Sequence, residues 1–437
     1  MMGYIKEDIF RMVEEDDVEF IRLQFTDIFG TLKNVAITSS QLRKALDNNC
    51  MFEAASIDGL LANDEIELFL HPDLDTYEVF PWRPQNGKVA RLICDLCNAD
   101  GTPYMADSRY ILKKVIKDAA DMGYTFDVGP ELEFFLFHTD DDGMPTTVSH
   151  DRAGYFDLGP LDLGENARRD IVLTLEDMNY EIESSHHEVS PAQHEVDFKY
   201  ADALKTADNI VTFKLVVKST VKRHGLFASF MPKPKDDCAG SGMHINMSLS
   251  KDGVNIFEDK NDENGLSTDA YYFMAGIMKH IKAITAISNP IVNSYKRLAT
   301  VFETPVCIGW STKNKSPLIR IPSSKGAGAR IELRSPDPSC NPYLALALCL
   351  AAGLDGIKNK YEAPASMDSV DESEIKDTDR LPWNLQTAIE IFEKDEFVKS
   401  VLGEELVKRY VKIKKEEWKS YSECVSKWEI DEYLYRV

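Results

Sequence analysis

The chain has 437 residues, 43% of them hydrophobic and 10% aromatic, with a formal charge of −23 at pH 7. That apolar content supports a large core in two or three domains and argues against disorder. The acidic excess argues against a nucleic-acid binder, which needs a basic stripe, and against docking on an anionic membrane.

The opening "MMGYIKEDIFRMVEEDD" has early acids and no long apolar core, so no signal peptide is expected. Residues 4–16 have the spacing of a short amphipathic helix. From about 18 to 98 the chain reads as strands and turns, through "VEFIRLQFTDIFG", "LKNVAI" and "KVARLICDL". "NADGTPYMADSR" (98–109) is turn-rich and predicts a domain boundary, after which Asp107–Ser108 cap the helix "RYILKKVIKDAADMGY". "ARRDIVLTLEDMNY" and "ALKTADNIVTFKLVVKSTVKRHG" have helical spacing, and "YLALALCLAAGL" (343–354) reads as a buried helix too short to span a bilayer. "APASMDSVDESEIKDTDRLP" (363–382) reads as an acidic surface loop. The eight cysteines are scattered; Cys94 and Cys97 form the one C-x-x-C, a weak signal, and the set reads as small buried hydrophobes in a reducing cytoplasm.

Four segments pair an apolar face with a charged one. In "PELEFFLF" (130–137), strand alternation puts Glu131 and Glu133 on one side with Phe135 and Phe137. Like charges on a buried strand repel and lose hydration, so something must neutralise them. "HHEVSPAQHEVDF" (186–198) adds Glu188 and Glu195, "GSGMHINMSL" (240–249) sets His244, Asn246 and Ser248 on one face, and "ARIELRSP" (329–336) does the same with Arg330, Glu332 and Arg334. Each alone fits a solvated sheet face or a core histidine. Together, five glutamates and one histidine form an oxygen-rich set suited to Mg²⁺ or Mn²⁺ rather than structural zinc, and that much charge calls for more than one ion. Arg297, Lys315 and Arg320 extend the basic row, a combination suited to phosphoryl transfer. No G-x-x-x-x-G-K-[ST] occurs, so a nucleotide would not be held by a P-loop.

In their order and spacing, "GPELEFFLF", "HHEVSPAQHEVDF", "GSGMHINMSL", "NSYKRL", "IRIP" and "RIELRSPDPSCNPYLALA" resemble type I glutamine synthetases over essentially the whole chain. The resemblance implies an α+β fold. A β-grasp domain would occupy residues 14–98 and a catalytic α/β domain residues 106–437, its antiparallel strands forming half of a barrel shared with a neighbouring subunit. It implies a cytoplasmic homo-dodecamer of two stacked hexameric rings. The expected activity is ATP-dependent ligation of ammonia to L-glutamate through γ-glutamyl phosphate. One metal would be held by Glu133, Glu188 and Glu195, the other by Glu131, His244 and Glu332. Arg297, Arg334 and the backbone at Gly240 would hold glutamate, with His244 alongside. Tyr155 would border the ammonium pocket, and Glu183 and Ser248 would contact the nucleotide. Lys315, Arg320 and Arg330 would neutralise phosphates, and Glu303 would sit in a flap that closes over the intermediate.

The sequence departs from that family at the amine entrance. "FEAASIDG" puts Glu53 where an aspartate is usual, one methylene longer, and misplacement by about 1 Å already matters for catalytic alignment. Ala62 and Ala239 replace an arginine and an asparagine, Lys315 replaces an arginine, and the flap reads "ATVFE" in place of Pro-Gly-Tyr-Glu. These departures leave three readings: a glutamine synthetase with a retuned ammonia pocket, a ligase for a larger organic amine giving a γ-glutamylamide, or a catalytically weak scaffold or regulator. Retention of every metal ligand weighs against the last. No tyrosine lies between Tyr361 and Tyr410, so control by tyrosine adenylylation in that loop is not expected. Arg83 and Arg168–Arg169 are basic residues that could meet an anionic effector, against the simpler reading of surface ion pairs.

Overall fold

The computed structural model describes residues 3–60, 67–83, 86–299, 305, 307–324, 326–369 and 380–437. Glu303, Ala62 and residues 370–379 of the acidic 363–382 stretch fall outside the described residues.

The N-terminal unit comprises helix α1 (Lys6–Glu15), strands β1 (Val18–Thr26) and β2 (Leu32–Thr38), helix α2 (Leu42–Leu46) and strands β3 (Cys50–Glu53), β4 (Glu67–Pro72), β5 (Glu78–Val79) and β6 (Lys88–Cys97). The sheet order is β2-β1-β6-β4-β3, with β5 also on β6. Central β1 and β6 run parallel, Leu23 beside Leu92, so the unit closes through a crossover rather than a hairpin.

Asp107 then caps α3 (Ser108–Asp121), its carboxylate accepting from the Arg109 amide at 3.1 Å. The C-terminal unit continues with β7 (Thr125–His138), α4 (Glu165–Glu176), β8 (Ile182–His187), β9 (Gln193–Phe198), β10 (Ala201–Asp202), α5 (Ala203–Thr220), β11 (Leu226–Ser229), β12 (Met243–Lys251), β13 (Val254–Asn255), α6 (Thr268–Ser288) and α7 (Val292–Leu298). After these come β14 (Cys307–Ser311), β15 (Pro317–Arg320), β16 (Ile331–Leu333), α8 (Pro342–Asn359), α9 (Leu385–Lys394), α10 (Glu396–Leu402), α11 (Glu404–Ser422) and α12 (Lys427–Tyr433). The main sheet runs β14-β15-β16-β12-β7-β9-β8, antiparallel except for the parallel β14–β15 pair.

One face of this sheet is core. Leu132, Phe134, Val196, Ile245, Met247, Ile331 and Leu333 are fully buried. Phe134 lies within 6.1 Å of Phe213 on α5 and 5.7 Å of Phe230. Behind it, α6 and α8 cross where glycines meet. A Cβ on Gly356 would lie 2.0 Å from the Tyr272 carbonyl oxygen, and one on Gly276 2.1 Å from that of Ala352. The approach is too close for any side chain, which explains glycine inside two helices that otherwise disfavour it.

The two units are riveted by Arg109. Its side chain is 3% exposed and binds Asp208 through two bonds of 3.0 and 2.8 Å, with Asp73 and Asp95 each at 2.8 Å. Asp73 and Asp95 come from the N-terminal unit and Asp208 from α5, so one guanidinium spans the seam.

Candidate active site

The other face of the main sheet carries the polar residues, and strand register arranges them in rows. In the first row Arg320 stands opposite Glu332, and Glu332 opposite Asn246. In the second His244 faces Glu131, Glu131 faces Asp197, and Asp197 faces Ser184. In the third Glu133 faces Glu195, which faces His186. Directly opposed residues place their Cβ atoms about 4.5–5.5 Å apart, so segments distant in sequence meet side by side. Phe135, Phe137 and Ala192 form a small apolar cluster of their own at the end of this face.

Two donor groups result. Glu131, His244 and Glu332 present ligand atoms within 4.8 Å of one another, and so do His186, Glu188 and Glu195. Glu133 links the two, its Oε1 3.8 Å from His244 Nε2 and its backbone opposite Glu195. Burial works to raise the Glu131 carboxyl, but hydrogen bonds from His244 and Asn246 outweigh it and bring it down to about 2. Glu195 has no such relief. Burial, then repulsion from Asp197, Glu133, Glu131 and Glu188, pushes its carboxyl well up. Carboxylate oxygens crowded to that degree, with an imidazole at each group, match the donor chemistry of hard divalent ions.

The cationic side chains flank these rows. Glu332 is bound by Arg334 and by Arg320, the latter at 3.1 Å. Arg330 Nε donates to Asn246 Oδ1 at 2.9 Å, and Asn246 in turn donates to Glu131 at 2.9 Å. Arg297 is buried and donates to the carbonyls of Arg334, Ser335 and Pro336 at 3.0, 2.7 and 3.2 Å. The glycine loop is shaped to it. A Cβ on Gly240 would meet Arg297 Cγ at 2.8 Å, and one on Gly242 would meet Arg297 Nη2 at 2.7 Å and His244 Nε2 at 2.8 Å. Glycine at 240 and 242 therefore lets this loop lie directly on the guanidinium and the imidazole.

Beside the second row opens a cleft of about 610 Å³, lined among others by Glu131, Glu183, Asp197, Ser248 and Arg330. Three of the residues expected to meet a nucleotide thus share one cavity, while Arg320 lies a strand away and Lys315 is exposed in the turn before β15. Tyr155 is 53% exposed, its ring 5.6 Å from that of His186. Glu53 ends β3 exposed to solvent on the N-terminal unit.

Sequence reasoning missed the roles of three residues. His186 joins Glu188 and Glu195, and its position two residues before Glu188 on a strand was the available signal. Asn246 was placed on the polar face but not as the bridge between Glu131 and Arg330. Gln193 donates to Glu133 at 2.8 Å across 60 residues of sequence, which no local pattern encodes. A third donor cluster, Asp162, His187 and His194, is wholly buried. Arg168 already fills it, bonding Asp162 at 2.8 Å and His194 at 2.9 Å, and so is not a surface residue awaiting an effector. Arg169 is exposed and lies 3.7 Å from Asp170.

Similarity to known proteins agrees with this arrangement. The family descriptions "Glutamine synthetase, beta-Grasp domain" and "Glutamine synthetase, catalytic domain" match residues 17–99 and 105–433. The chain is 58% identical over 440 residues to a glutamine synthetase of Clostridium saccharobutylicum, covering 99% of both proteins. It is 52% identical over 438 residues to one from Staphylococcus aureus strain Mu50, covering 99% of this chain and 98% of the relative. Among solved structures it superposes on Plasmodium falciparum glutamine synthetase with a TM-score of 0.90 at 27% identity, covering 99% of each chain. With apo GmaS the TM-score is 0.88 at 32% identity, covering 98% of this chain and 99% of that one. On the strength of matched domains along its whole length and relatives at more than half identity, the chain belongs to the glutamine synthetase family.

Proposed function

We propose that this protein ligates ammonia to the γ-carboxylate of L-glutamate at the expense of ATP, giving glutamine, ADP and phosphate. The observation that carries the reading is the set of three rows on the main sheet, carboxylates and imidazoles bordered by arginines, beside the 610 Å³ cleft. Relatives at 58% and 52% identity bear the name glutamine synthetase, which favours ammonia over an organic amine.

Glu131, His244 and Glu332 would hold one divalent ion. Glu133, Glu188 and Glu195, with His186 beside them, would hold another, and the oxygen-rich donors suit Mg²⁺ or Mn²⁺. Bound there, the ions would neutralise this face and the polyphosphate that approaches it. The remaining work belongs to the chain. Glu183, Ser248 and Arg330 would seat ATP in the cleft, and Arg320 and Lys315 would complete the cationic surround of its phosphates. Arg334, Arg297 and the Gly240 backbone would orient glutamate so that a γ-carboxylate oxygen attacks the γ-phosphorus and ADP leaves. Ammonia then attacks the acyl carbon and the carbon–oxygen bond to phosphate breaks. The nitrogen's proton passes to a carboxylate, for which Glu53 of a neighbouring subunit and Glu303 are the candidates, with Tyr155 at the entrance. The exposed position of Glu53 supports a site completed between subunits, and with it the dodecamer of two hexameric rings. Domains at 14–98 and 106–437 accord with the seam at Asp107, and seven buried free cysteines accord with a reducing cytoplasm. Among the described residues no helix is long and apolar enough to cross a membrane.

A coupled assay of ATP cleavage with glutamate and a panel of amines tests this. Ammonia should give the highest kcat/KM. Preference for an organic amine, or ATP cleavage with none, overturns the reading.

A further inference from the structure

Gln193 opens β9, is 1% exposed, and spends every polar atom it has. Its amide nitrogen donates to Glu133 Oε2 at 2.8 Å and to the Gly240 carbonyl at 3.1 Å. Its amide oxygen accepts from the Ser190 amide at 3.3 Å, its backbone N–H donates to the Ser190 carbonyl at 3.0 Å, and its carbonyl accepts from the Glu188 amide at 2.8 Å. The orientation of the amide is dictated chemically: a carboxylate and a carbonyl can only accept, so the NH₂ must face both. Glu133 Oε2 accepts a second bond, from the Gly242 amide at 3.0 Å. That oxygen is held by the protein, which leaves Oε1 turned toward His244.

The turn before Gln193 is fixed with equal care. Ala192 sits at φ +67, a conformation costly for a residue with a side chain, and is kept there by its amide bond to Asp151 and its carbonyl bond from Leu136. At the other end, Ser190 Oγ accepts from the Ala239 amide at 2.7 Å. Residues 190 and 193 therefore grip the 239–240 loop at two points, and the same turn joins the strand leading to Glu188 to the strand carrying Glu195.

We infer that Gln193 is a positioning residue that ties the Glu133–Glu188–Glu195 metal site to the glutamate-contacting loop at Gly240, so that metal occupancy and glutamate affinity depend on each other. The inference rests on the ligase reading above. One amide group holds a metal carboxylate with one hydrogen and the substrate loop with the other. Drawing Glu133 toward an ion orders the loop, and a substrate that orders the loop pre-aligns Glu133. Reciprocity of binding free energies requires the effect to run both ways.

The test is Mn²⁺ binding to the full-length assembled protein by electron paramagnetic resonance, with and without glutamate, beside steady-state kinetics at saturating Mn²⁺. Wild type should bind Mn²⁺ several-fold more tightly with glutamate present. Gln193→Met keeps the size and removes both hydrogens. It should weaken Mn²⁺ binding by about 10–100-fold, the range for lost support of a metal ligand, and abolish the glutamate effect. Ser190→Ala loosens only the loop: Mn²⁺ affinity without glutamate should stay at the wild-type value, while KM for glutamate rises more than kcat falls and the glutamate effect shrinks. Wild-type coupling retained in Gln193→Met overturns the inference. Should that variant not fold, Ser190→Ala with unchanged coupling overturns it alone. Wild-type protein that binds no Mn²⁺ at all overturns the ligase reading as well, a result distinct from intact binding without coupling.

Discussion

Two clusters of buried charge hold this molecule together on opposite terms. At the seam between the units, Arg109 and Lys113 stand among Asp73, Asp95 and Asp208, and Tyr343 adds a hydroxyl to Asp208 at 2.7 Å. Charge is nearly balanced within the chain, and Arg109 binds all three carboxylates. On the main sheet, Arg320 and Arg334 both bind Glu332, while Glu195 is left among four other carboxylates. The first cluster is complete as folded. The second carries more carboxylates than its own arginines pair and would be balanced by cations from outside, which is how a structural ion cluster and a candidate binding site made of the same residue types can be told apart.

Removing one charge from each should therefore have opposite consequences. The largest effect expected is that of Arg109→Met, which takes the guanidinium from buried Asp208 and leaves Asp73 and Asp95 to share Lys113. It should cost about 3–5 kcal/mol in urea unfolding while Mn²⁺ affinity stays at the wild-type value. Glu195→Gln should do the reverse. It should weaken divalent-ion binding by more than about 100-fold, beyond what supporting residues contribute, and turnover should fall with it. In chelator-treated protein the same change should raise the thermal midpoint, by roughly 1–3 °C, because an amide is neutral without taking up the proton that burial and the neighbouring carboxylates force on Glu195. A lower midpoint there would erase the distinction between the two clusters.

The smallest effect belongs to Glu78, on the N-terminal unit. Burial raises its carboxyl from 4.5 to about 7, although Arg91 and Asn179 pull the other way. The folded chain then keeps a proton that the unfolded chain has released. Stability is complete below the ordinary value and declines as pH climbs through about 7. Glu78→Gln should flatten that decline by about 1–2 kcal/mol between pH 5 and 8, read by urea midpoints across the range.

How much of this could be read from the sequence depends on the range over which each feature is encoded. The polar rows were legible because alternation along a strand is local. Glu131 and Glu133, His244 and Asn246, and Glu332 with Arg334 all announced their face two residues at a time. The cap at Asp107 and the buried helix read over 343–354, which the structure extends to Pro342–Asn359, were legible for the same reason, and the order of the motifs carried the family. What stayed hidden was the connection between strands. Nothing near Gln193 says that its amide reaches Glu133 and Gly240, and nothing near Arg109 names partners at 73, 95 and 208. The Asp162–His187–His194 cluster shows the opposite failure, since its composition suits a metal and its centre is taken by Arg168.

The alternation of β12 has one more implication. Ile245 and Met247 anchor the interior while His244 and Asn246 face the carboxylate rows, and every neighbour is positioned against that same phase. Deleting a single residue upstream within this segment would send the imidazole and amide into the hydrocarbon interior and push isoleucine and methionine out among the carboxylates. Foldedness and chemistry are thus written in one reading frame. Descendants of this gene can exchange letters on either side of the sheet, but they cannot gain or lose one here without forfeiting both.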